Sequence, residues 1–224
     1  DWLKAGGGAD ALDGGTGHDS LWGGTGDDVI DGGEGDDTLD GGAGLDTVTY
    51  AGAAGAVEVD LSILEDQLTR GGGVDTLVSI ENLVGSGFDD MLTGSAGANA
   101  LSGGSGADTL RGGGGADLLF GGAGNDLFVF GPGDSLSQAP DYIGDFAAGD
   151  RIDLSAIDAN TSQAGDQAFA LTGQFGHAGD IAVVYDAGGD RTYLWLSLDY
   201  SGAVGMQIAL QGDHRSLTAS DFIL

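Results

Sequence analysis

Aspartate recurs every ninth residue along much of the first half of the chain, and carboxylates in such a row can bind metal ions. The repeating unit has the form GGxGxDxUx, in which U is an apolar residue. Intact units follow one another as GGTGHDSLW (14–22), GGTGDDVID (23–31), GGEGDDTLD (32–40) and GGAGLDTVT (41–49). A degenerate unit, AGGGADALD, spans 5–13, and the register resumes over 85–129. The sixth place of these units holds Asp10, Asp19, Asp28, Asp37, Asp46, Asp90, Asp108, Asp117 and Asp126.

The spacing of these carboxylates indicates which metal they bind. Neighbouring strands of a sheet lie about 4.8 Å apart, and stacked carboxylates at that distance repel one another unless a cation separates them. Calcium accepts about six to eight oxygen ligands, whereas magnesium prefers a tight octahedron with retained waters. Zinc prefers nitrogen or sulfur, but the chain has no cysteine and only three scattered histidines. Calcium is therefore the predicted cofactor, with several ions bound, and GGxGxDxUx matches the calcium-binding nonapeptide of parallel β-helices.

The apolar eighth place predicts the element that positions each aspartate. Three residues of the form x-U-x make a short strand with one inward side chain, and glycines let the chain reverse within the rest of the unit. Two units then form one coil, and strands two units apart stack in parallel. A flexible Gly/Asp-rich linker is the alternative, but a linker needs no apolar residue at a fixed place. The predicted inward residues are Leu12, Leu21, Ile30, Leu39, Val48, Leu92, Leu101, Leu110, Leu119 and Phe128.

Composition excludes several classes of function. Asp and Glu number 36 against 6 Lys and Arg, so the formal net charge of −30 excludes nucleic acid as a partner. The same charge destabilises a compact state unless cations neutralise it. No apolar run reaches transmembrane length, and no N-terminal signal peptide is recognisable. Because the chain starts inside a repeat, we expect it to be a fragment with an upstream domain in the same polypeptide.

The repeat is interrupted over about 50–84. AVEVDLSIL (56–64) alternates as a strand does, and RGGGVDTLV (70–78) fits the repeat at every place but the first. Asp75 is therefore a further candidate ligand. We expect an insertion on the roll, with the chain returning to the stack through SIENLV. The predicted inward residues are Val57, Val59 and Leu61, then Ile80 and Leu83.

Glycine becomes rarer after residue 130, and strand patterns replace the repeat. IAVVYD (181–186) and TYLWLSL (192–198) predict a β-hairpin, and MQIAL (206–210) a further strand. Trp195 is expected in the core of this part. The predicted domains are a roll over 1–130, including the insertion, and a β-rich cap over 131–224 that covers the open end of the roll.

The repeats together with DTLVSIENL (75–83), DYIGDFAAGDRIDLSAID (141–158) and the terminal LTASDFIL (217–224) resemble the C-terminal region of serralysin-like proteins. These belong to the repeats-in-toxin (RTX) group, which is exported by type I secretion. The resemblance implies an all-β fold, a calcium-stacked parallel β-roll followed by a small antiparallel β-sandwich-like cap. It also implies an uncleaved export signal at the C-terminus, a type I secretion apparatus as partner, and a secreted, extracellular protein, either free or attached to the cell surface.

The same resemblance implies which residues bind calcium. In such rolls the ligands resemble the second, fourth and sixth places of each unit. Asn99 replaces the aspartate in one unit, where weak binding through carbonyls is expected, and DYSGAV (199–204) keeps too few acidic residues for a site. Asp134, Asp141 and Asp150 are candidates at the junction of roll and cap. The glycines implied are Gly15, Gly17, Gly24, Gly26, Gly33, Gly35, Gly42, Gly44, Gly104, Gly106, Gly113, Gly115, Gly122 and Gly124.

No catalytic motif is present in the chain. With His18, His177 and His214 scattered singly, no HExxH zinc helix can form, and GxSxG and P-loop motifs are absent. We therefore expect a non-catalytic secretion module that folds when calcium binds and supports an effector such as a serralysin-type metalloprotease. The alternatives are an adhesin or surface-layer module, and a module of a polysaccharide-modifying enzyme or lipase. Trp22 and Phe120 are predicted to point outward, where they could contact a neighbouring domain or a ligand.

Overall fold

The computed structural model describes residues 1–160, 167–172, 177–199 and 204–224. Strands dominate these ranges, and the single helical element in them is a 3-10 turn, Ala219–Asp221. None of the described helical residues forms a helix long and apolar enough to cross a membrane. The strands are β1 (Trp2–Gly7), β2 (Ala11–Asp13), β3 (Ser20–Thr25), β4 (Val29–Asp31), β5 (Thr38–Ala43), β6 (Thr47–Thr49), β7 (Glu58–Asp60), β8 (Gln67–Leu68), β9 (Val74–Val78), β10 (Asn82–Val84), β11 (Met91–Thr93), β12 (Ala100–Ser105), β13 (Thr109–Arg111), β14 (Leu118–Ala123), β15 (Leu127–Val129), β16 (Asp141–Ile143), β17 (Arg151–Asp153), β18 (Ala170–Leu171), β19 (Asp180–Asp186), β20 (Arg191–Leu196), β21 (Met206–Gln211) and β22 (Phe222–Ile223).

Successive strands alternate between two faces of a parallel roll. A front face carries the five-stranded sheet β1-β3-β5-β9-β8 and the six-stranded sheet β22-β17-β15-β13-β11-β7. A back face carries one sheet of eleven strands, from β2 through β4, β6, β10, β12, β14 and β16 to β21, β20, β19 and β18. Leu21 pairs in register with Leu39, and Leu101 with Leu119, both 18 positions later. Two nonapeptides per coil and parallel stacking are thereby confirmed.

The core of the roll is a stack of single apolar side chains between the two faces. Every predicted inward residue of the repeats is buried, with exposed fractions between 0% at Leu21 and 7% at Leu12. Leu119 is fully buried, whereas the adjacent Leu118 is half-buried on the outer side of its strand. The eighth place of the repeat therefore supplies the core, as the pattern predicted.

Removal of one stacked side chain should destabilise the roll strongly. Leu110 is fully buried, so Leu110→Ala should lower the free energy of unfolding by about 2–5 kcal/mol through lost burial and the cavity left behind. Urea denaturation in saturating calcium measures this loss. Leu64→Ala is the matched control because Leu64 is 72% exposed, and its expected effect is below about 0.5 kcal/mol. Equal losses for the two variants would contradict a core built from the eighth place.

The insertion contributes strands to the roll itself. β7 pairs in parallel with β11, and β8 pairs antiparallel with β9, so both join the front face. A single antiparallel bridge between Val57 and Arg70 links the two sheets of that face. The predicted inward residues of this region are all buried, including Val59 at 1% and Leu83 at 1% exposure. The region therefore adds strands to one face while the back face continues from β6 through β10 to β12.

The C-terminal part extends both faces. β16 stacks on β14 and β17 on β15, and β21 and β22 then pair in parallel with β16 and β17. The predicted hairpin is present as β19 and β20, and the predicted strand over MQIAL is present as β21. Because the sheets continue through residue 130, the division into 1–130 and 131–224 stays a prediction. Trp195 was wrongly predicted as core: it is half-buried, while Leu194 and Leu196 on either side are fully buried.

Candidate metal centres

The acidic loops form two ladders, one along each edge of the roll. Loops that lead onto the front face make the first edge, and loops that lead onto the back face make the second edge. The sixth-place residues of the first edge are Asp19, Asp37, Asp75, Val57, Asp90, Asp108, Asp126 and Asp150. Those of the second edge are Asp10, Asp28, Asp46, Glu81, Asn99, Asp117 and Asp141.

In the ladder aspartates other than Asp10, one carboxylate oxygen ties neighbouring coils together. The main-chain N–H of Asp10 donates to Oδ1 of Asp28 at 2.8 Å, and that of Asp28 donates to Oδ1 of Asp46 at 2.8 Å. On the other edge, Asp108 N–H donates to Oδ1 of Asp126 at 2.9 Å. The sixth-place aspartate is thus a structural residue through Oδ1, independently of any ion.

The second carboxylate oxygen is the feature that points to a metal. In eight of the described aspartates, Oδ2 is buried and has no hydrogen-bond partner. A buried charged oxygen without a partner destabilises a fold by several kcal/mol, whereas a bound cation removes that penalty. The residues concerned are Asp19, Asp28, Asp37, Asp46, Asp108, Asp117, Asp126 and Asp141.

The glycines bring main-chain oxygens close to these carboxylates. A Cβ atom at Gly14 would lie 2.9 Å from Oδ2 of Asp19 and 2.5 Å from the carbonyl oxygen of Gly32, so only glycine fits the first place. Gly24 and Gly26 have φ angles of 114° and 110°, and a Cβ on either would overlap a carbonyl oxygen of the preceding coil. Carbonyl oxygens of the second and fourth places therefore point from coil to coil along the stack.

This donor set fits a calcium ion. The free Oδ2 atoms are hard oxygen donors, and main-chain carbonyl oxygens of the neighbouring coil lie close to several of them, such as that of Gly32 near Asp19, which is the ligand chemistry that calcium prefers. Among the described residues, no three acidic, histidine or cysteine side chains converge on one point. An ion would accordingly take most of its ligands from the main chain, as the repeat resemblance implied. The assignment of individual ligands stays a prediction.

The electrostatics of the ladders favour neutralisation. Burial raises the pKa of Asp108 and of Asp117 to about 6, and it raises the pKa of Asp141 to about 7. Negative charges on neighbouring aspartates, Asp117 and Asp134 in the case of Asp141, add to the rise, while a main-chain N–H donor opposes it. Charged carboxylates are therefore unfavourable in these loops unless a cation or a proton accompanies them.

Asp75 differs from the other aspartates of the first edge. Its Oδ1 accepts the N–H of Asp37 at 3.0 Å, as the ladder requires. Its Oδ2, however, accepts hydrogen bonds from the hydroxyl groups of Tyr50 and Thr69, each at 2.9 Å. Neither hydroxyl could be predicted as a partner, because both residues lie outside the repeat and no spacing rule connects them to Asp75.

Asp90 and Asn99 also have protein partners at every side-chain oxygen. Ser86 donates its N–H and its hydroxyl to Asp90, and Ser95 donates both to Oδ1 of Asn99. Nδ2 of Asn99 in turn donates to the carbonyl oxygen of Glu81 at 2.7 Å. Both serines stand in the second place of their units, where the other units have glycine, and this substitution is the signal that could have revealed them.

The junction candidates are also bonded within the protein. Oδ2 of Asp134 accepts the N–H of Gly131 at 2.7 Å and Nε of Arg111 at 3.1 Å. Asp150 accepts main-chain N–H groups from Asp126 and Ala147 at its two oxygens, at 3.0 and 2.7 Å. Among the three junction candidates, only Asp141 keeps a buried oxygen with no partner.

The outward aromatic residues have neighbours within the chain. Trp22 lies against Trp2 with ring centroids 5.1 Å apart, and Trp2 is 69% exposed. The ring of Phe120 covers Gly144, where a Cβ would overlap it. His18 is exposed, and its Nδ1 accepts the N–H of Asp36 at 3.1 Å. The absence of a site in DYSGAV stays a prediction, because most of that segment lies outside the described residues.

Some solved structures align with this chain over part or all of its length. The AlgE6R2 subunit of the Azotobacter vinelandii mannuronan C5-epimerase is 30% identical, with a TM-score of 0.36 over 64% of this chain and 92% of that one. The AlgE6R3 subunit of the same enzyme is 33% identical, with a TM-score of 0.30 over 61% and 78%. The extracellular lipase LipA from Serratia marcescens is 16% identical, with a TM-score of 0.32 over 100% of this chain and 42% of the lipase.

Family comparisons agree with the resemblance seen in the sequence. No curated protein matches the chain at a significant level. The RTX calcium-binding nonapeptide repeat matches residues 1–21 and 13–48. The family described as Peptidase M10 serralysin C terminal matches residues 37–224, which is most of the chain. With RTX repeats, parallel coils and carboxylate ladders together, this calcium-binding β-roll module belongs to the serralysin C-terminal family.

Proposed function

We propose that this chain is a calcium-triggered folding and secretion module that supports an upstream effector domain of the same polypeptide. The observation that carries the proposal is the set of eight buried Oδ2 atoms without a partner. Oxygens of this kind oppose folding when calcium is scarce and favour it when calcium is abundant. Affinity for the ion thereby becomes free energy of folding, because the sites need two stacked coils to exist.

The free Oδ2 atoms would hold the ions together with second- and fourth-place carbonyls, for example those of Gly24 and Gly26. Bound calcium supplies positive charge between coils that otherwise repel. Within the chain, Oδ1 fixes the register of the coils, and the glycines keep the carbonyl oxygens pointing along the stack. The aspartates therefore act twice, as coil-to-coil acceptors and as ion ligands.

Charge explains how such a module suits type I export. With a net charge of −30 and little free calcium in the bacterial cytosol, the chain would stay unfolded and able to pass through a narrow channel. Extracellular calcium modules bind at roughly 0.1 to 1 mM, so the roll would form after export. We expect the export signal in the C-terminal part of the chain, which includes β22, and the protein outside the cell.

The catalytic activity of the whole protein is proposed to lie upstream. The histidines His18 and His177 each lie beside a single aspartate, Asp36 and Asp180 respectively, which is not a zinc or nucleophile arrangement. We therefore propose that the described roll performs no chemistry and that an attached domain, such as a serralysin-type metalloprotease, does.

Far-UV circular dichroism during a calcium titration of the purified chain tests the proposal. We expect a cooperative change from coil to β structure near millimolar calcium, and no such change when magnesium replaces calcium. A β spectrum that is complete in calcium-free buffer at neutral pH would contradict calcium-triggered folding. A spectrum that stays that of a coil at 10 mM calcium would contradict calcium binding as the source of stability.

A further inference from the structure

The free carboxylate oxygens are not spread evenly along the roll. The first group belongs to the loops before the insertion and consists of Asp19, Asp28, Asp37 and Asp46. The second group belongs to the loops after Asn99 and consists of Asp108, Asp117, Asp126 and Asp141. Each group places two residues on the first edge and two on the second. Between the groups, over residues 50–99, every sixth-place side chain either has protein partners or carries no carboxylate.

We infer that calcium binds in two separate clusters and that the turns over residues 50–99 form a calcium-free belt between them. In the belt, the polar sixth-place side chains form hydrogen bonds with hydroxyl and main-chain groups of the protein, and none of them keeps a buried oxygen without a partner. This inference rests on the proposed calcium binding, and it concerns where the ions lie along the two edges. It revises the sequence-based prediction that Asp75 and Asp90 are ligands.

On the first edge, three successive places of the belt lack a free oxygen. Asp75 is 1% exposed, and its Oδ2 accepts from Tyr50 and Thr69, which are 5% and 0% exposed. The next place is held by Val57, an apolar residue, whose N–H donates to Oδ1 of Asp90 at 2.8 Å. Oδ2 of Asp90, in turn, accepts a hydrogen bond from the N–H of Ser86.

At Asp75, two hydroxyl groups donate hydrogen bonds to the oxygen that in other ladder aspartates is free to bind a cation. Two O–H donors at 2.9 Å satisfy the same oxygen that has no partner in Asp37 one coil earlier. An ion at this oxygen would have to break both hydrogen bonds, which lie among buried side chains. The protein partners therefore exclude the ion by competition for the two lone pairs of Oδ2.

On the second edge, Glu81 and Asn99 interrupt the ladder. Oε2 of Glu81 accepts the N–H of Asp46 at 2.9 Å, so the longer side chain serves the register contact. Asn99 is neutral, and both ends of its amide are bonded, to Ser95 and to the carbonyl oxygen of Glu81. The sixth place held by Asn99 therefore offers an ion neither a charge nor a free side-chain oxygen.

Counting the bound ions in matched variants tests the inference. Native mass spectrometry or equilibrium dialysis of the full chain in saturating calcium gives the number of ions per chain. Asp75→Asn should bind as many ions as the wild type, since Asn Oδ1 preserves the register hydrogen bond and the hydroxyl groups of Tyr50 and Thr69 can accept from the new NH₂ group. Asp37→Asn and Asp126→Asn, which make the same change inside the clusters, should bind fewer. A loss of ions in Asp75→Asn equal to that in Asp37→Asn would overturn the inference.

Crystals of the unaltered chain grown with calcium give a second test that needs no variant. Anomalous scattering from calcium should place ions at about 2.3–2.6 Å from Oδ2 atoms of both clusters. A peak at that distance from Oδ2 of Asp75 or from Oδ2 of Asp90 would refute the belt. Ions in the belt as well as in the clusters would overturn only this inference, whereas a wild-type chain that binds no calcium would overturn the proposed function.

Discussion

Asp28→Asn should raise the calcium concentration needed for half-maximal folding at least about tenfold. Asp28 is 1% exposed, and its Oδ1 accepts the N–H of Asp10, which an asparagine oxygen can also do. The substitution therefore leaves the contact between coils and replaces only the partnerless Oδ2 with an amide NH₂ group. Loss of one charged ligand weakens calcium sites markedly, and a tenfold change corresponds to about 1.4 kcal/mol.

The matched control for this variant is Asp13→Asn. Asp13 is exposed in the ninth place of its unit, so the substitution changes the net charge by the same amount without touching a ladder. Calcium titrations followed by circular dichroism should give a midpoint within about twofold of the wild type for Asp13→Asn. Equal shifts in the two variants would mean that net charge alone governs folding, and the ladder assignment would then fail.

In calcium-free buffer, acidification from pH 7.5 to pH 4.5 should increase the β content of the chain. The folded-state pKa values of Asp108, Asp117 and Asp141 are raised by burial to about 6, 6 and 7, above the ordinary value of 3.8. The folded chain thus binds more protons than the unfolded chain between about pH 4 and 7. Stability from these groups is fully present below pH 3.8 and is lost as the pH rises through 6 to 7.

Calcium should reverse this dependence on pH. Protons and calcium compete for the same carboxylates, so the calcium concentration at half-maximal folding should rise as the pH falls below about 6. Circular dichroism at a series of pH values, with and without calcium, measures both effects. Asp141→Asn serves as the control because it removes the carboxyl group with the highest of these pKa values, and it should flatten the calcium-free profile near pH 7. A metal-free β content that decreases on acidification would contradict buried, uncompensated carboxylates.

The belt is a part of the roll in which sixth-place side chains have hydrogen-bond partners within the protein. Tyr50, Thr69 and Asp75 form a hydrogen-bonded group inside the front face, between sheets that continue on either side. An array divided in this way can lose ions from one cluster while the other stays filled. The calcium dependence of folding then reflects ion binding at two groups of four free oxygens, and not at one continuous ladder.

The nine-residue period alone determined the coil, its core and its two ladders. Each unit is a local structure: glycines at set places allow the turn, one apolar residue enters the core, and one aspartate ends the loop. Since neighbouring units are identical in length, stacking follows from repetition, and residues such as Leu39 and Asp28 lie where the period places them. The cofactor also follows from the sequence, because oxygen ligands in a row without sulfur or clustered imidazole suit calcium.

Only the tertiary structure decided how the repeat is interrupted and where it ends. β7 joins β11 across 33 positions, and Tyr50 meets Asp75 across 25, at separations that no period specifies. The face that Trp195 takes likewise depends on the strands beside it, since alternation gives two faces without saying which is buried. Local geometry repeats, so the sequence predicts it, whereas the hydrogen bond from Tyr50 to Asp75 depends on packing between segments of the chain that the period does not relate.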